Sequence, residues 1–166
     1  NLGVDAMTEP ANYSKKQIAD IVQKYKERAA EINETRPAAI NDVNIVYVMN
    51  ESFSDPLALE GVTVSEDPIP KIRLLKETTL SGTILSQGYG GGTANIEFEA
   101  LTGLSMEPMS ASLTTPYTQL VSRMNELPSA ISYLKQQGYA TTAIHPYNTT
   151  MYKRNEVYQK LGFTTF

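Results

Sequence analysis

The stretch Asn44-Ile-Val-Tyr-Val-Met49 decides the fold class. It is a continuous apolar run, rich in β-branched residues, that follows Asp42 and ends where the polar residues from Asn50 begin. A strand with one solvated face alternates apolar and polar residues, whereas a continuous run is typical of a strand that is buried on both faces. Strands of that kind belong to parallel sheets, so the run predicts a parallel sheet covered by helices.

Helices and strands alternate along the rest of the chain. Ser14 opens an amphipathic helix whose apolar residues recur every three or four positions as far as Ile32. The later elements are predicted in this order: a short helix over 69–75, an apolar-polar run over 79–85, a helix over 94–101 that ends at Gly103, a helix from Pro128 to Gly138, a strand over 139–144 and a helix over 152–161. This order predicts an α/β fold with a mostly parallel sheet flanked by helices.

The composition excludes several classes of function. The chain has 166 residues, of which 41% are hydrophobic and 19% charged, as expected for one folded domain. Its net charge is −4, and it has no basic stripe of the kind that holds a nucleic-acid backbone. The absence of cysteine excludes disulfides, thiolate metal sites and a cysteine nucleophile, so a metal must bind to oxygen or to the single histidine.

Glu51 follows the predicted strand directly. Open α/β folds form their ligand crevice at the carboxyl ends of parallel strands, so this carboxylate is a candidate metal ligand. A loop residue or a helix cap would occupy the same place in the sequence, and the spacing alone does not separate the three roles.

A glycine-rich loop, Gly88-Tyr-Gly-Gly-Gly-Thr93, precedes the helix over 94–101. Residues without a Cβ atom let the backbone approach a ligand closely, and the helix turns its N–H groups toward an anion there. Thr93 is either the N-cap of this helix or a hydroxyl nucleophile. The loop lacks the Gly-Lys-Ser/Thr ending and the last glycine of the usual nucleotide-binding patterns, so nucleotide binding is rejected.

His145 is the single histidine and ends the predicted strand over 139–144. Tyr152 and Arg154 follow within ten residues, and the planar guanidinium of an arginine suits phosphate oxygens. The alternatives are a structural histidine and a surface arginine that pairs with Glu156.

Three motifs together resemble the lipoteichoic acid synthase family, which belongs to the sulfatase and alkaline phosphatase superfamily. They are the segments over 44–53, 90–98 and 145–155, which read NIVYVMNESF, GGGTANIEF and HPYNTTMYKRN. The resemblance covers about Val43 to Phe166 and implies an alkaline phosphatase-like fold. Sulfatases proper carry a Cys/Ser-x-Pro-x-Arg motif that this chain lacks, which argues against sulfate ester hydrolysis.

The resemblance implies a role for each candidate residue. Glu51 and Thr93 would bind a divalent metal, Mn²⁺ or Mg²⁺, and Thr93 would also be the nucleophile. His145, Tyr152 and Arg154 would hold the glycerol phosphate group of the substrate. The family usually has tryptophan at the position of Tyr152, so the donor and acceptor of this chain are not fixed by the motif.

The resemblance also implies how the chain is organised. Residues 1–41 match a juxtamembrane lead-in with its amphipathic helix, and residues 42–166 match the amino-terminal part of a catalytic domain. The family completes its metal site with a later Asp-His pair, and this chain has no such dipeptide. We therefore expect an incomplete metal site and an inactive isolated chain.

The function that the resemblance implies is phosphoglycerol transfer outside the cell membrane of a Gram-positive bacterium. Glycerol phosphate would pass from phosphatidylglycerol, through the threonine, to a lipoteichoic acid-type acceptor that ends in glycerol phosphate or is a glycolipid. Contact with the membrane would come through preceding segments. Two alternatives stay open: a metal-dependent phosphatase or phosphodiesterase of the same superfamily, and a noncatalytic anion-binding module.

Overall fold

The computed structural model describes residues 7–36, 42–86, 88 and 91–166. The chain forms two compact units: Asn1–Val48 with Glu107–Thr114, and Met49–Met106 with Thr115–Phe166. Part of the predicted lead-in and of the glycine-rich loop, including Tyr89 and Gly90, lies outside the described residues.

The first unit contains α1, Lys15–Glu34, which confirms the predicted amphipathic helix. The Ser14 hydroxyl accepts a hydrogen bond from the backbone N–H of Gln17 at 3.2 Å, as an N-cap residue does. No residue of α1 is buried, and its apolar residue Val22 is 47% exposed. Among the described residues, no helix combines the length and apolar character that crossing a membrane requires.

The second unit contains the remaining α-helices. These are α2, Pro70–Thr78; α3, Thr93–Thr102; α4, Pro116–Gln119; α5, Ala130–Gln136; and α6, Arg154–Lys160. Short 3₁₀ helices lie at Pro56–Ala58, Val121–Arg123 and Met151–Lys153. The core of this unit is formed by fully buried residues of these helices and their flanks: Ala94, Phe98, Tyr117, Val121, Val157 and Leu161.

Local capping signals explain where these helices begin and end. Ser129 caps α5 in a reciprocal capping box with Ser132, as the Pro128-Ser129 pair predicts. Gly103 ends α3 in the left-handed conformation with φ 71°, which a residue without a Cβ atom adopts at little cost. The helices predicted over 69–75, over 94–101 and from Pro128 are thus confirmed.

The predicted sheet is not seen in the described residues, where the backbone forms no strand. A single parallel bridge joins Thr142 to Thr165, with the Ala143 N–H donating to the Thr165 carbonyl at 2.9 Å. The expectation that the run over 44–49 is buried on both faces is wrong here, because Val46 and Val48 are 83% and 80% exposed. The physical reason is that no described strand pairs with this run to cover it. The parallel sheet stays a prediction.

Candidate active site

Glu51 and Thr93 lie together in the second unit. The Thr93 hydroxyl donates a hydrogen bond to Glu51 Oε2 at 3.0 Å, and both side chains are partly buried. Glu51 lies in a turn just after the apolar run, and Thr93 is the first residue of α3. The carboxyl end of a strand and a glycine-led helix N-terminus are expected to meet at the ligand crevice of an α/β fold, and the carboxylate and the hydroxyl are indeed in contact.

Thr93 is not the N-cap of α3. That position belongs to Gly92, whose φ of 86° is left-handed and which has no side chain to cap the helix. The Thr93 hydroxyl therefore does not cap the helix. It lies at the N-terminus of α3, the positive end of the helix dipole, and donates to a carboxylate there. Such a hydroxyl can serve as a nucleophile or as a metal ligand.

Gly88 shows why a glycine precedes the site. A Cβ atom built on it would lie 2.6 Å from Glu51 Oε1, which is closer than real Cβ atoms approach, and 3.1 Å from Ile96 Cγ1, which is a tight contact. The absence of a side chain at residue 88 is thus what leaves room for the Glu51 carboxylate beside α3.

A cavity of about 190 Å³ adjoins the first turns of α3. It is lined by Gly88, Gly91, Gly92, Asn95, Ile96, Glu99 and Met106. Glu99 also accepts a hydrogen bond from the Met106 N–H at 2.8 Å, which holds one wall in place. The cavity provides space for a small ligand next to the residues that flank Thr93.

The segment after Glu51 is held by an arginine clamp. Arg73 on α2 pairs with Asp55 through Nη1 and Nη2, at 2.8 and 2.9 Å, and with Asp67 through Nε at 2.7 Å. The hydrogen bonds from Arg73 lower the pKa of Asp55. Because Asp55 is only four residues from Glu51, the clamp restricts the turn that carries the candidate ligand.

Arg154 is buried, with 1% of its surface exposed. Its Nη2 donates to Glu97 Oε1 at 2.6 Å, and its Nε donates to Glu97 Oε2 at 3.1 Å. Burial opposes the charge of Arg154, but the hydrogen bonds and the charge of Glu97 outweigh it and raise the pKa of Arg154. The expected alternative partner, Glu156, is not the partner that the structure shows.

Glu97 is a residue that sequence reasoning missed. It is 5% exposed and also accepts a hydrogen bond from the Tyr158 hydroxyl at 3.0 Å. Burial first, and then the charge of Glu97, raise the pKa of Tyr158. A signal was present in the sequence, because Glu97 lies four residues after Thr93 and hence on the same face of α3.

Tyr152 and Lys153 adopt an unusual backbone conformation. Both have φ 56°, which is costly for residues that carry a Cβ atom. The helix predicted from residue 152 therefore begins at Arg154 instead. The Arg154 Cζ atom lies 5.1 Å from the centre of the Tyr152 ring, so the structure brings these two candidate substrate-binding residues together.

His145 is partly buried and follows the bridge at Thr142. Its Nδ1 atom is buried and has no hydrogen-bond partner among the described residues. The structure thus gives this imidazole no structural hydrogen bond through Nδ1, the bond expected of a structural histidine.

The chemistry of Glu51 and Thr93 suits a divalent metal, since a carboxylate and a hydroxyl provide the oxygen ligands that Mg²⁺ and Mn²⁺ prefer. They do not complete a site, because the part of the chain described in the structure contains no cluster of three or more His, Cys, Asp or Glu side chains. Among the described residues, Glu51 and Thr93 are the two candidate ligands that the site offers.

Comparison with known proteins identifies the fold and the family. The sulfatase family model matches residues 43–166. The solved structure of the Streptococcus pyogenes phosphoglycerol transferase GacH in complex with sn-glycerol-1-phosphate is 39% identical, with a TM-score of 0.86 over 97% of this chain and 42% of that chain. This likeness supports an alkaline phosphatase-like α/β fold.

Two proteins of Rhizobium meliloti (strain 1021) are also similar. One is named "Putative cyclic beta-1,2-glucan modification protein" and is 38% identical over 74% of this chain and 18% of its own length. The other is the capsular polysaccharide biosynthesis protein RkpI, 29% identical over 81% of this chain and 26% of its own length. The chain therefore spans less than half the length of each protein that it matches here.

The superfamily is generally metal-dependent and contains transferases and hydrolases, and this sequence is similar to it over residues 43–166. Its motifs, its family match and its likeness to a phosphoglycerol transferase agree with one another. The chain belongs to the sulfatase family, among the enzymes of the lipoteichoic acid synthase type.

Proposed function

We propose that this chain supplies the nucleophile of a metal-dependent phosphoglycerol transferase. The observation that carries the proposal is the 3.0 Å hydrogen bond from the Thr93 hydroxyl to the Glu51 carboxylate at the N-terminus of α3. The likeness to a phosphoglycerol transferase solved with sn-glycerol-1-phosphate supports the substrate class.

In the proposed reaction, Thr93 Oγ attacks the phosphorus of a phosphatidylglycerol head group. The new Oγ–P bond replaces the bond to diacylglycerol, which leaves with a proton equivalent to the one that Thr93 loses. An acceptor hydroxyl then attacks the same phosphorus, so that its oxygen takes the phosphoglycerol and the proton returns to Thr93. Each half of the reaction thus exchanges one P–O bond for another.

Glu51 orients the nucleophile, because its Oε2 atom accepts a hydrogen bond from the Thr93 hydroxyl and fixes the direction of that hydroxyl. Glu51 and Thr93 would also hold Mn²⁺ or Mg²⁺, which supplies Lewis acidity and charge neutralisation for the phosphoryl group when bound. The backbone N–H groups at the start of α3 add further positive potential.

The glycerol phosphate group would contact the turn that carries the other candidate residues. His145 and Tyr152 are partly exposed and can reach a ligand. The Nδ1 atom of His145 is itself buried and has no hydrogen-bond partner among the described residues. Arg154 is 1% exposed and its Nε and Nη2 atoms donate to Glu97, so in place of the direct phosphate contact that the resemblance implies, it supports the substrate site through its contact with the Tyr152 ring.

The acceptor is a hydroxyl of a polymer or a glycolipid, on the outer face of the cell membrane. A glycerol phosphate chain of the lipoteichoic acid type is one form of this acceptor. The names of the two Rhizobium relatives, which refer to a glucan and to a capsular polysaccharide, support a saccharide hydroxyl as the other form.

The test uses the full natural protein that contains these residues, with labelled phosphatidylglycerol and Mn²⁺. We expect release of diacylglycerol and a labelled acceptor, and we expect Thr93→Ala to lower the rate by at least about a thousandfold. Thr102→Ala, at the other end of α3, is the matched control and should keep the activity. Free glycerol phosphate without a labelled acceptor would show a phosphodiesterase, and metal-independent binding without turnover would show an anion-binding module.

A further inference from the structure

Glu97 joins two parts of the molecule that carry the proposed site. Its carboxylate accepts hydrogen bonds from Arg154 at 2.6 and 3.1 Å and from the Tyr158 hydroxyl at 3.0 Å. Glu97 and Arg154 are 5% and 1% exposed, so water does not replace these bonds in the folded protein. The contact therefore ties α3 to the start of α6.

The position of Glu97 on α3 relates this contact to the nucleophile. Glu97 follows Thr93 by four residues, which is about one helical turn, so the two side chains project from the same face. A helix turn is rigid compared with a loop. The carboxylate of Glu97 thus stands at a fixed distance along α3 from the Thr93 hydroxyl.

The other end of the contact leads to Tyr152. The guanidinium of Arg154 lies 5.1 Å from the centre of the Tyr152 ring, within the range of a cation–π interaction. Tyr152 and Lys153 have φ 56°, and a strained backbone of this kind persists only where its surroundings fix it. Arg154, held by Glu97, is a surrounding group that can fix Tyr152.

Stability alone does not require a charged pair at this place. Well-packed apolar residues of similar volume often stabilise a folded protein as much as a buried ion pair does. Directional hydrogen bonds do something that apolar packing does not: they fix the plane of the guanidinium. A guanidinium fixed in this way presents a fixed surface to the Tyr152 ring, whose centre lies 5.1 Å from Arg154 Cζ.

We propose that Glu97 is a positioning residue that sets the affinity for the glycerol phosphate group. It acts through the Arg154 guanidinium on Tyr152, and it does not touch the substrate. This inference rests on the proposed function, in which Tyr152 contacts the substrate and Thr93 attacks it.

The experiment measures binding and turnover separately in the full natural protein. Glu97→Asp keeps the charge but shortens the side chain by one methylene, so Arg154 must shift to keep its bonds. We expect the Kd for sn-glycerol 1-phosphate, measured by calorimetry, and the KM for phosphatidylglycerol to rise about tenfold. The kcat should change less than about threefold, because Thr93 and Glu51 keep their contact.

Two further variants separate positioning from general destabilisation. Val157→Ala removes a fully buried side chain of α6 that has no part in the hydrogen bonds, so it should lower stability without raising the Kd. In a Tyr152→Ala background, Glu97→Asp should raise the Kd no further, since its effect passes through Tyr152. Arg154→Lys keeps the charge but removes the guanidinium plane. If Glu97→Asp does not fold, Arg154→Lys replaces it, and the same rise in Kd is expected.

An unchanged Kd in folded Glu97→Asp, or in Arg154→Lys when that variant is the one that folds, overturns the inference. So does a rise in Kd that persists in full in the Tyr152→Ala background. A wild-type protein that neither binds sn-glycerol 1-phosphate nor transfers phosphoglycerol contradicts the proposed function instead, and it thereby removes the basis of the inference. The two failures are therefore distinguishable.

Discussion

Thr93 donates a hydrogen bond to Glu51 over 3.0 Å, although the two residues are 42 positions apart in the sequence. One residue lies within the turn after an apolar run, and the other begins a helix, so neither local element alone explains the contact. The glycine at residue 88 leaves the space that the Glu51 carboxylate occupies in this contact. The geometry of the site thus depends on the loop as much as on the two functional side chains.

Gly88→Ala tests that dependence. The new Cβ atom would lie 2.6 Å from Glu51 Oε1, so the carboxylate must shift from the position in which it accepts the Thr93 hydrogen bond. We expect the affinity of the full natural protein for Mn²⁺ to fall about tenfold. Gly82→Ala is the matched control, because a Cβ atom there meets nothing within 4 Å. Equal calorimetric affinities for the two variants would contradict the role of Gly88.

The buried pair of Glu97 and Arg154 predicts a large change in stability. Glu97→Gln leaves the buried guanidinium without a countercharge, and we expect the free energy of unfolding to fall by about 3–5 kcal/mol. Replacing both residues by methionine should cost less than Glu97→Gln alone, because no charge then stays buried. Chemical denaturation of the three proteins measures both differences.

An exposed ion pair provides the control for that prediction. Arg28 and Glu31 on α1 form a salt bridge, with 2.8 Å between Nη1 and Oε2, but their side chains are 66% and 64% exposed. Solvent screens such pairs, so Glu31→Gln should change the free energy of unfolding by less than about 1 kcal/mol. A loss as large as that of Glu97→Gln would show that burial does not decide the difference.

The sequence predicts those features that local signals control. The Ser14 and Ser129 caps and the stop at Gly103 follow from side-chain or backbone chemistry within a few residues, and the helices they bound are confirmed. The contact between Glu51 and Thr93 also followed, because strand ends and helix N-termini are the usual ligand sites of α/β folds.

Features that depend on distant partners were not predicted from the sequence. The partner of Arg154 is Glu97, 57 positions away, whereas the local alternative was Glu156. Burial of Val46 and Val48 requires a neighbouring strand, and the described residues provide none. Tyr152 and Lys153 adopt the left-handed backbone conformation without being glycines, so the sequence does not indicate this conformation. The predicted helix therefore begins two residues too early.

High pH should destabilise the folded protein through its buried tyrosines. Burial, and then the charge of Glu97, raise the pKa of both Tyr117 and Tyr158 above the usual 10.0. A group whose pKa is raised on folding contributes its full stability below pH 10 and loses it as the pH rises toward the folded-state pKa. We expect the free energy of unfolding to fall above about pH 10, by up to about 1.4 kcal/mol per pH unit for each such tyrosine.

The Tyr158→Phe variant isolates the contribution of one tyrosine. Phenylalanine does not titrate, so the slope of stability against pH above about pH 10 should be shallower than that of the wild type. Chemical denaturation between about pH 8 and pH 11 measures both slopes. Identical slopes would mean that Tyr158 does not stay protonated in the folded protein.

Binding of Mn²⁺ to the 166-residue chain alone is expected to be weak. Mn²⁺ and Mg²⁺ favour about six oxygen ligands, and the described part of the site offers the carboxylate of Glu51 and the hydroxyl of Thr93. The described residues contain no cluster of three acidic or histidine side chains that could supply more. Titration calorimetry should therefore give a Kd well above about 100 μM, changed little by Glu51→Ala. Binding at about 1 μM with a stoichiometry of about one, lost in Glu51→Ala, would show instead that these residues complete a metal site by themselves.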